Sequence, residues 1–122
     1  MATVGVGIDI VEIERIERAL RRYPRLASRL FTEREVAYCG ERRRPGRHLA
    51  ARFAAKEATV KALGLTGGHP MTEIEIEAEP DNPPSILLHR DLKRHADEAG
   101  LTLSLSLTHE RGMAAAVVLA EG

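Results

Sequence analysis

The sequence predicts a small α+β protein in which an antiparallel sheet packs on one long central helix. Residues 49–63 form a run without proline or glycine that is rich in Ala, Leu, Lys, Glu and Arg, as helices are. Residues 3–10, 72–79 and 101–108 alternate in the manner of strands. Residues 113–120 are apolar and follow the last of these after a short polar turn, which predicts a hairpin.

The size and composition of the chain indicate one globular domain, residues 1–122. The chain is 43% hydrophobic and 30% charged, an ordinary balance for a folded protein. Its single cysteine, Cys39, excludes an internal disulfide and is expected to be an inert buried thiol in a reducing cytoplasm. No apolar run approaches the ~20 residues of a membrane span. The sequence therefore predicts a cytoplasmic protein without membrane segments.

Charge is unevenly distributed although the formal net charge is zero. Residues 12–47 hold eleven arginines against six glutamates, whereas residues 48–122 hold seven basic against eleven acidic residues. The basic part is suited to nucleic acid, a phosphorylated ligand or an acidic protein. With two Phe, two Tyr and no Trp, the chain has few side chains for base stacking, which disfavours single-stranded nucleic acid.

The first strand, residues 3–10, has one face of small residues. Gly5 and Gly7 lie on this face with Asp9, so another backbone or a ligand can approach closely beside the carboxylate. Residues 11–22 are predicted to be helical, and on this local pattern Asp9 is favoured as the N-cap of that helix.

The predicted helix 11–22 and the segment after it have a basic face. Such a face is most often only solvated, but arginines with almost no lysine also suit bidentate recognition of carboxylate or phosphate. The arginines concerned are Arg15, Arg18, Arg22, Arg25 and Arg29.

Two segments connect this helix to the central one. Thr32 and Glu35 have the spacing of a capping box, which predicts a short helix through Cys39. Residues 41–47 predict a polar loop with four arginines, which either hold a phosphate or are solvated.

The central helix is expected to be packed on two faces. Apolar side chains form a stripe on one side and alanines cover the other, so its charged residues need an explanation. Lys56 lies in the apolar stripe, while Glu57 and Lys61 are an i,i+4 pair on its flank. Two interpretations remain open at equal weight: a solvated helix pair with Lys56 extending its ammonium to water, or a carboxylate and ammonium groups beside a phosphate and a divalent cation.

The second half of the chain supplies strands and one helix. The four glutamates of strand 72–79 are expected to be solvated rather than metal-binding. Residues 85–89 predict a strand, and residues 90–99 a helix closed by Gly100. His109 follows the strand 101–108, and a structural hydrogen bond is favoured over a role in a site.

Four motifs together, in this order and spacing, resemble the stand-alone holo-acyl-carrier-protein synthases, the short class of 4′-phosphopantetheinyl transferases. The motifs are Gly7-Ile8-Asp9-Ile10 followed by Arg15, Phe31-Thr32-Glu33 with Glu35, Arg52-Phe53-Ala54-Ala55-Lys56-Glu57-Ala58 with Lys61-Ala62, and Leu105-Ser106-Leu107-Thr108-His109 with Ala114-Ala115-Ala116. The resemblance covers nearly the whole chain and implies the transferase fold for the single domain 1–122.

This resemblance implies an activity and a catalytic set. The family transfers the phosphopantetheine arm of coenzyme A to a serine of apo acyl carrier protein, releases adenosine 3′,5′-bisphosphate and requires Mg²⁺. Asp9 and Glu57 match the two metal-ligand carboxylates, and Lys61 matches the catalytic lysine at the pyrophosphate. The group that removes the proton from the carrier serine is either a metal-bound water or Glu57.

The resemblance also implies binding residues. His109 matches a histidine near the nucleotide end of the site, and Arg44 and Arg52 fall where basic residues approach the 3′-phosphate of coenzyme A. The acidic recognition helix of the carrier is expected to contact Arg15, Arg22 and Arg25.

Members of the short class resemble closed homotrimers, so a trimer is expected with Asp9 and Glu57 from one chain and the Arg44 region from a neighbour. The chain departs from the family pattern in the loop 65–70, at Met113, and in the turn of residues 82–84.

Two rival interpretations use the same residues. One is another Mg²⁺-dependent enzyme that acts on nucleotide phosphates through Asp9, Glu57 and Lys61. The other is a non-catalytic basic module that binds an acidic protein or RNA. For a transferase, the acceptor is a carrier protein of either fatty acid or polyketide synthesis.

Overall fold

A computed structural model describes all residues 1–122. It contains five strands, five α-helices and a short 3-10 helix at Met71–Glu73. In chain order the elements are β1 (Thr3–Glu12), α1 (Ile13–Arg22), α2 (Leu26–Leu30), α3 (Glu33–Gly40), α4 (Pro45–Ala62), β2 (Ile74–Glu77), β3 (Ser85–Leu88), α5 (Arg90–Ala99), β4 (Thr102–Glu110) and β5 (Met113–Glu121).

The predicted α+β architecture is confirmed. Strands β1, β5 and β4 form an antiparallel sheet in that order, and β4 and β5 are the expected hairpin. Helix α4 packs across this sheet, mainly against β1 and β5. Strands β2 and β3 pair separately as a two-stranded antiparallel sheet.

Two glycines allow the sheet to approach the central helix. A Cβ added at Gly5 would overlap the carbonyl oxygen of Ala62, and one added at Gly7 would overlap that of Ala58. The predicted close approach is therefore confirmed, and the approaching backbone is that of α4. Asp9 continues the same face of β1, so this contact also brings its carboxylate to α4.

The main core lies between α4, β5 and the smaller sheet. Small alanines on α4 let these layers pack closely, as the two-faced pattern of the helix predicts. Its buried residues are Ala54, Ala55, Ala58, Ala62, Ile74, Ile76, Leu92, Ala116, Val118 and Ala120.

Three boundaries differ from the sequence prediction, and one of them is that of β2, which is Ile74–Glu77 rather than residues 72–79. Helix α4 begins at Pro45, a residue suited to the first helical position, so the predicted loop 41–47 is shorter and Arg47 is helical. Strand β1 pairs with β5 as far as Glu12. The interpretation of Asp9 as an N-cap is therefore wrong, since it lies within β1 opposite Ala116.

The capping box is confirmed, and it leads into a buried ion pair. The Thr32 side chain accepts from the Glu35 N–H, while the Glu35 carboxylate accepts from the Thr32 N–H. The same carboxylate lies 2.7 Å from Lys56 Nζ. Lys56 has no exposed surface and also donates to the carbonyl oxygens of Met71 and Ile74. It therefore neither extends to water nor reaches a ligand site.

The expectation of solvated glutamates on the second strand is wrong for two of the four. Glu73 and Glu75 are 7% and 4% exposed. Glu73 accepts from the Leu92 N–H near the start of α5, and Glu75 pairs with His89 at 2.9 Å. Both faces of this strand are covered by residues that are distant in the sequence, so the alternating pattern does not reveal the burial of these glutamates.

The outer face of β1 is apolar and open. Val6, Ile8 and Ile10 are 57 to 66% exposed, and Leu119 of β5 lies opposite Val6 in the sheet. No helix of the chain combines the length and the apolar character needed to cross a membrane.

Candidate active site

The crossing of β1 and α4 brings together the three residues predicted to be catalytic. Lys61 Nζ donates to the carbonyl oxygen of Ile8 at 2.9 Å and lies 3.3 Å from Asp9 Oδ1. Glu57 is one turn before Lys61 on α4. Lys61 therefore pairs with the carboxylate across the crossing rather than with the glutamate of its own helix.

Asp9 and Glu57 place two negative charges in one cavity of about 740 Å³. Burial and then the nearby charge of Asp9 raise the pKa of Glu57, while Lys61 opposes them. A divalent cation between these carboxylates would relieve their repulsion, and hard oxygen ligands suit Mg²⁺. The chain offers no group of three or more His, Cys, Asp and Glu arranged to bind a metal. Two carboxylates fit a cation whose other ligands are waters and substrate oxygens.

The rest of this cavity is a groove with mostly apolar walls. Arg15 lines it together with the two carboxylates, so the first of the predicted carrier-binding arginines shares a cavity with residues predicted to be catalytic. Its apolar walls are Ile10, Val11, Ile16, Ala19, Leu26, Leu30, Phe53 and Met113.

The two other predicted carrier-binding arginines lie outside this cavity. Arg22 ends α1 with its guanidinium 5.6 Å from the centre of the Tyr23 ring. Arg25 lines a separate small cavity that also includes Tyr23 and Arg29. The three predicted arginines are exposed, and none forms an ion pair within the chain.

A second cavity, of about 410 Å³, contains Arg52 and His109. Arg52 is only 4% exposed, and its buried Nε has no hydrogen-bond acceptor. The ring of His109 lies 6.0 Å from that of His48 in an edge-to-face arrangement and has no hydrogen-bond partner in the chain. The favoured structural hydrogen bond of His109 is thus absent.

Positive charges surround His48 in this second cavity, whose lining also includes the exposed carboxylate of Glu79. Burial is the main cause that lowers the pKa of His48, and the charges of Arg47, Arg52, His109 and Arg42 lower it further. A buried guanidinium without a counter-ion is costly, so the site is suited to an anion.

Arg44 is not part of that cavity. It takes a left-handed backbone conformation with φ 58° at the N-cap of α4, and its guanidinium lies 3.3 Å from Glu17 on α1. One chain therefore brings Arg52 and His109 together and leaves Arg44 apart from them.

Sequence reasoning did not single out Tyr38 or His48, which contact Arg52, and it included Arg42 only among the four arginines of the loop 41–47. A signal was present, since Tyr38 and Arg42 are four residues apart, as are His48 and Arg52. The first pair begins on α3 and the second lies on α4, so their proximity in space depends on how these two helices pack.

The fold and the paired carboxylates define a phosphopantetheinyl transferase. The family model described as the 4′-phosphopantetheinyl transferase superfamily matches residues 5–118, and the chain belongs to this superfamily. Within it, the chain is an enzyme of the holo-[acyl-carrier-protein] synthase family.

Relatives of known sequence and structure agree along the whole chain. The holo-[acyl-carrier-protein] synthase of Moorella thermoacetica is 50% identical over 117 residues, covering 94% of this chain and 91% of the relative. The crystal structure of the Neisseria meningitidis enzyme is 31% identical with a TM-score of 0.90, covering 99% of this chain and 100% of that one. That of the Helicobacter pylori enzyme in complex with coenzyme A is 34% identical with a TM-score of 0.82, covering 95% and 99%.

Proposed function

We propose that this chain, as a single transferase domain of residues 1–122, transfers 4′-phosphopantetheine from coenzyme A to a serine of apo acyl carrier protein. The products are holo carrier protein and adenosine 3′,5′-bisphosphate, and the reaction depends on Mg²⁺. The observation that carries the proposal is the convergence of Asp9, Glu57 and Lys61 where β1 crosses α4. The coenzyme A complex of the related Helicobacter pylori enzyme supports this donor.

Asp9 and Glu57 are the residues that would hold Mg²⁺. When bound, the ion neutralises the pyrophosphate and favours departure of the leaving group. The serine oxygen forms a bond to the phosphorus that carries the pantetheine arm, and the bond from that phosphorus to the bridging oxygen breaks. The serine proton passes to Glu57 or to water, and adenosine 3′,5′-bisphosphate leaves with the electron pair.

Lys61 stabilises the negative charge that develops on the departing phosphate. Its side chain is 52% exposed, so the ammonium can reach a ligand in the cavity. Its bond to the carbonyl of Ile8 and its contact with Asp9 hold it at the carboxylates before the substrate binds. This preorganisation reduces the rearrangement needed in the transition state.

Arg52, His109 and Arg44 bind the nucleotide end of coenzyme A. The unpaired Nε of Arg52 supplies a buried donor for an anion, and a phosphate monoester is the anion that coenzyme A presents there. Arg44 lies apart within one chain, so it contributes to the site of a neighbouring chain.

Arg15, Arg22 and Arg25 bind the acidic recognition helix of the carrier protein. Charge complementarity of this kind raises the association rate and orients the carrier serine toward the cavity that contains Arg15.

The assembly is a homotrimer with its sites at subunit boundaries. The open apolar face of β1, which includes Ile8 and Ile10, is the contact surface because monomeric proteins rarely expose such a patch. A closed ring of three chains buries this face on every subunit.

Product analysis tests the proposal against hydrolysis of coenzyme A. Release of adenosine 3′,5′-bisphosphate is measured with apo carrier protein, without it, and with a carrier whose serine is replaced by alanine. The proposal predicts release only with the intact carrier. Equal release in all three reactions would identify a hydrolase and contradict the proposal.

A further inference from the structure

The ring of Tyr38 has two guanidinium groups over it. Arg42 Cζ lies 4.1 Å and Arg52 Cζ 4.8 Å from the ring centre. Tyr38 is on α3, Arg52 is on α4, and Arg42 is in the connection between these helices. One aromatic side chain thus joins two cations from different parts of the fold.

Neither arginine has a carboxylate partner. All ion pairs of the chain involve other residues, and the buried Nε atoms of Arg42 and Arg52 both lack an acceptor. Two neighbouring positive charges repel each other, so they need a stabilising partner. The negative face of the Tyr38 ring attracts both cations, which supplies part of that stabilisation.

The ring also connects this pair to the second cavity. Tyr38 and Arg52 line that cavity with His48, His109 and the exposed Glu79, while Arg42 contacts the ring of Tyr38 and is not part of the lining. Its hydroxyl forms no hydrogen bond within the chain, so the contacts that distinguish this side chain are those of its ring with the guanidinium groups.

We propose that Tyr38 is a positioning residue that holds Arg42 and Arg52 as a two-guanidinium clamp for the 3′-phosphate of coenzyme A. A phosphate monoester carries nearly two negative charges and accepts bidentate hydrogen bonds, which suits two guanidinium groups that both contact one ring. The identity of the ligand rests on the proposed function. The inference adds Arg42 as a binding residue and assigns the arrangement of the clamp to Tyr38.

The test compares coenzyme A with dephospho-coenzyme A, which keeps the pyrophosphate and lacks only the 3′-phosphate. Titration calorimetry with the full chain gives the ratio of the two dissociation constants. Tyr38→Leu is expected to lower the wild-type preference for coenzyme A about fivefold or more, because the cation–π contacts are lost. Tyr38→Phe keeps the ring and is expected to keep the preference.

Tyr23→Leu is the matched control, because Tyr23 also contacts an arginine, Arg22, but outside the second cavity. It is expected to leave the preference unchanged. Arg42→Gln is a second variant, used if Tyr38→Leu does not fold. It is expected to lower the preference for coenzyme A over dephospho-coenzyme A by a similar factor.

Three results would overturn the inference: a wild-type chain that does not prefer coenzyme A, a folded Tyr38→Leu or Arg42→Gln variant that retains the preference, or an equal loss in Tyr38→Phe. A transfer assay on the wild-type chain reports separately on the proposed function. Loss of preference in the variants, from a chain that binds but does not transfer, would support the clamp and contradict the transferase.

Discussion

Lys56 Nζ lies 2.7 Å from Glu35 Oε1, and neither side chain has any exposed surface. Burial lowers the pKa of Lys56 and the charge of Glu35 opposes this effect. The pair joins α3 to α4, the helix that also carries Glu57. Neighbouring charged residues on one helix thus differ in environment, since Lys56 is buried in the fold and Glu57 lines the cavity with Asp9.

Replacing Lys56 with methionine is expected to lower the free energy of unfolding by about 3–5 kcal/mol, because Glu35 would remain buried without its cation. Urea denaturation measures the change. Lys93→Met removes an exposed i,i+4 pair with Asp97 and is expected to cost at most about 0.5 kcal/mol. Equal effects of the two substitutions would contradict a structural role for the buried pair.

Replacing Gly7 with alanine is expected to destabilise the protein by about 1–3 kcal/mol or more, because the added Cβ overlaps the backbone of α4 at Ala58. Transfer activity should fall as well, since β1 would move and carry Asp9 away from Glu57. Thermal denaturation and a transfer assay check both effects. Gly40→Ala is the control, because a Cβ there meets no atom within 4 Å. An unperturbed Gly7→Ala variant would refute the close contact.

Replacing Ile8 with glutamate is expected to convert a trimer into monomers, because a charge on the open face of β1 would be buried at the subunit contact. Sedimentation or light scattering measures the mass. Val36→Glu, an exposed apolar site on α3, is the control and should leave the mass unchanged. A wild-type monomer, or an Ile8→Glu trimer, would show that this face is not the interface.

Replacing Arg15 with glutamate is expected to weaken carrier binding about tenfold or more, since a favourable charge contact becomes a repulsive one. Coenzyme A affinity should change little. Separate titrations with carrier protein and coenzyme A distinguish the two effects. If the affinities for carrier protein and coenzyme A fall together, Arg15 is not specific to carrier binding, and the assignment is contradicted.

Local sequence patterns predicted much of the fold. The capping box at Thr32, the helix stop at Gly100 and the hairpin before Met113 depend on near neighbours, and the structure contains all three. Glu73 and Glu75 were misjudged because their partners, Leu92 and His89, are distant in the sequence. No periodic pattern reveals such pairings.

In the candidate site, too, local spacing was predictable from the sequence and contacts between distant residues were not. The i,i+4 spacing placed Glu57 beside Lys61, whereas the contact of Lys61 with Asp9 depends on how β1 crosses α4. Local sequence favoured Asp9 as a helix cap, and only the resemblance to a family pointed to the site. The Tyr38–Arg52 contact joins two helices, so spacing within either helix could not predict it.

Replacing Glu57 with glutamine separates catalysis from folding. Burial and the charge of Asp9 raise the pKa of Glu57, so the folded state disfavours its charged form. At pH 7 this effect lowers the free energy of unfolding. A neutral glutamine removes it, so the variant is expected to have a melting temperature at or above that of the wild type. Loss of Mg²⁺ binding should nevertheless abolish transfer.

Intact-protein mass spectrometry of apo acyl carrier protein, incubated with coenzyme A and Mg²⁺, tests the central claim most directly. We expect the wild-type chain to add one phosphopantetheine group. EDTA, the Glu57→Gln variant or a carrier without its serine should give no addition. No gain of mass with a folded wild-type chain and several carriers, or full transfer by Glu57→Gln, would contradict the account.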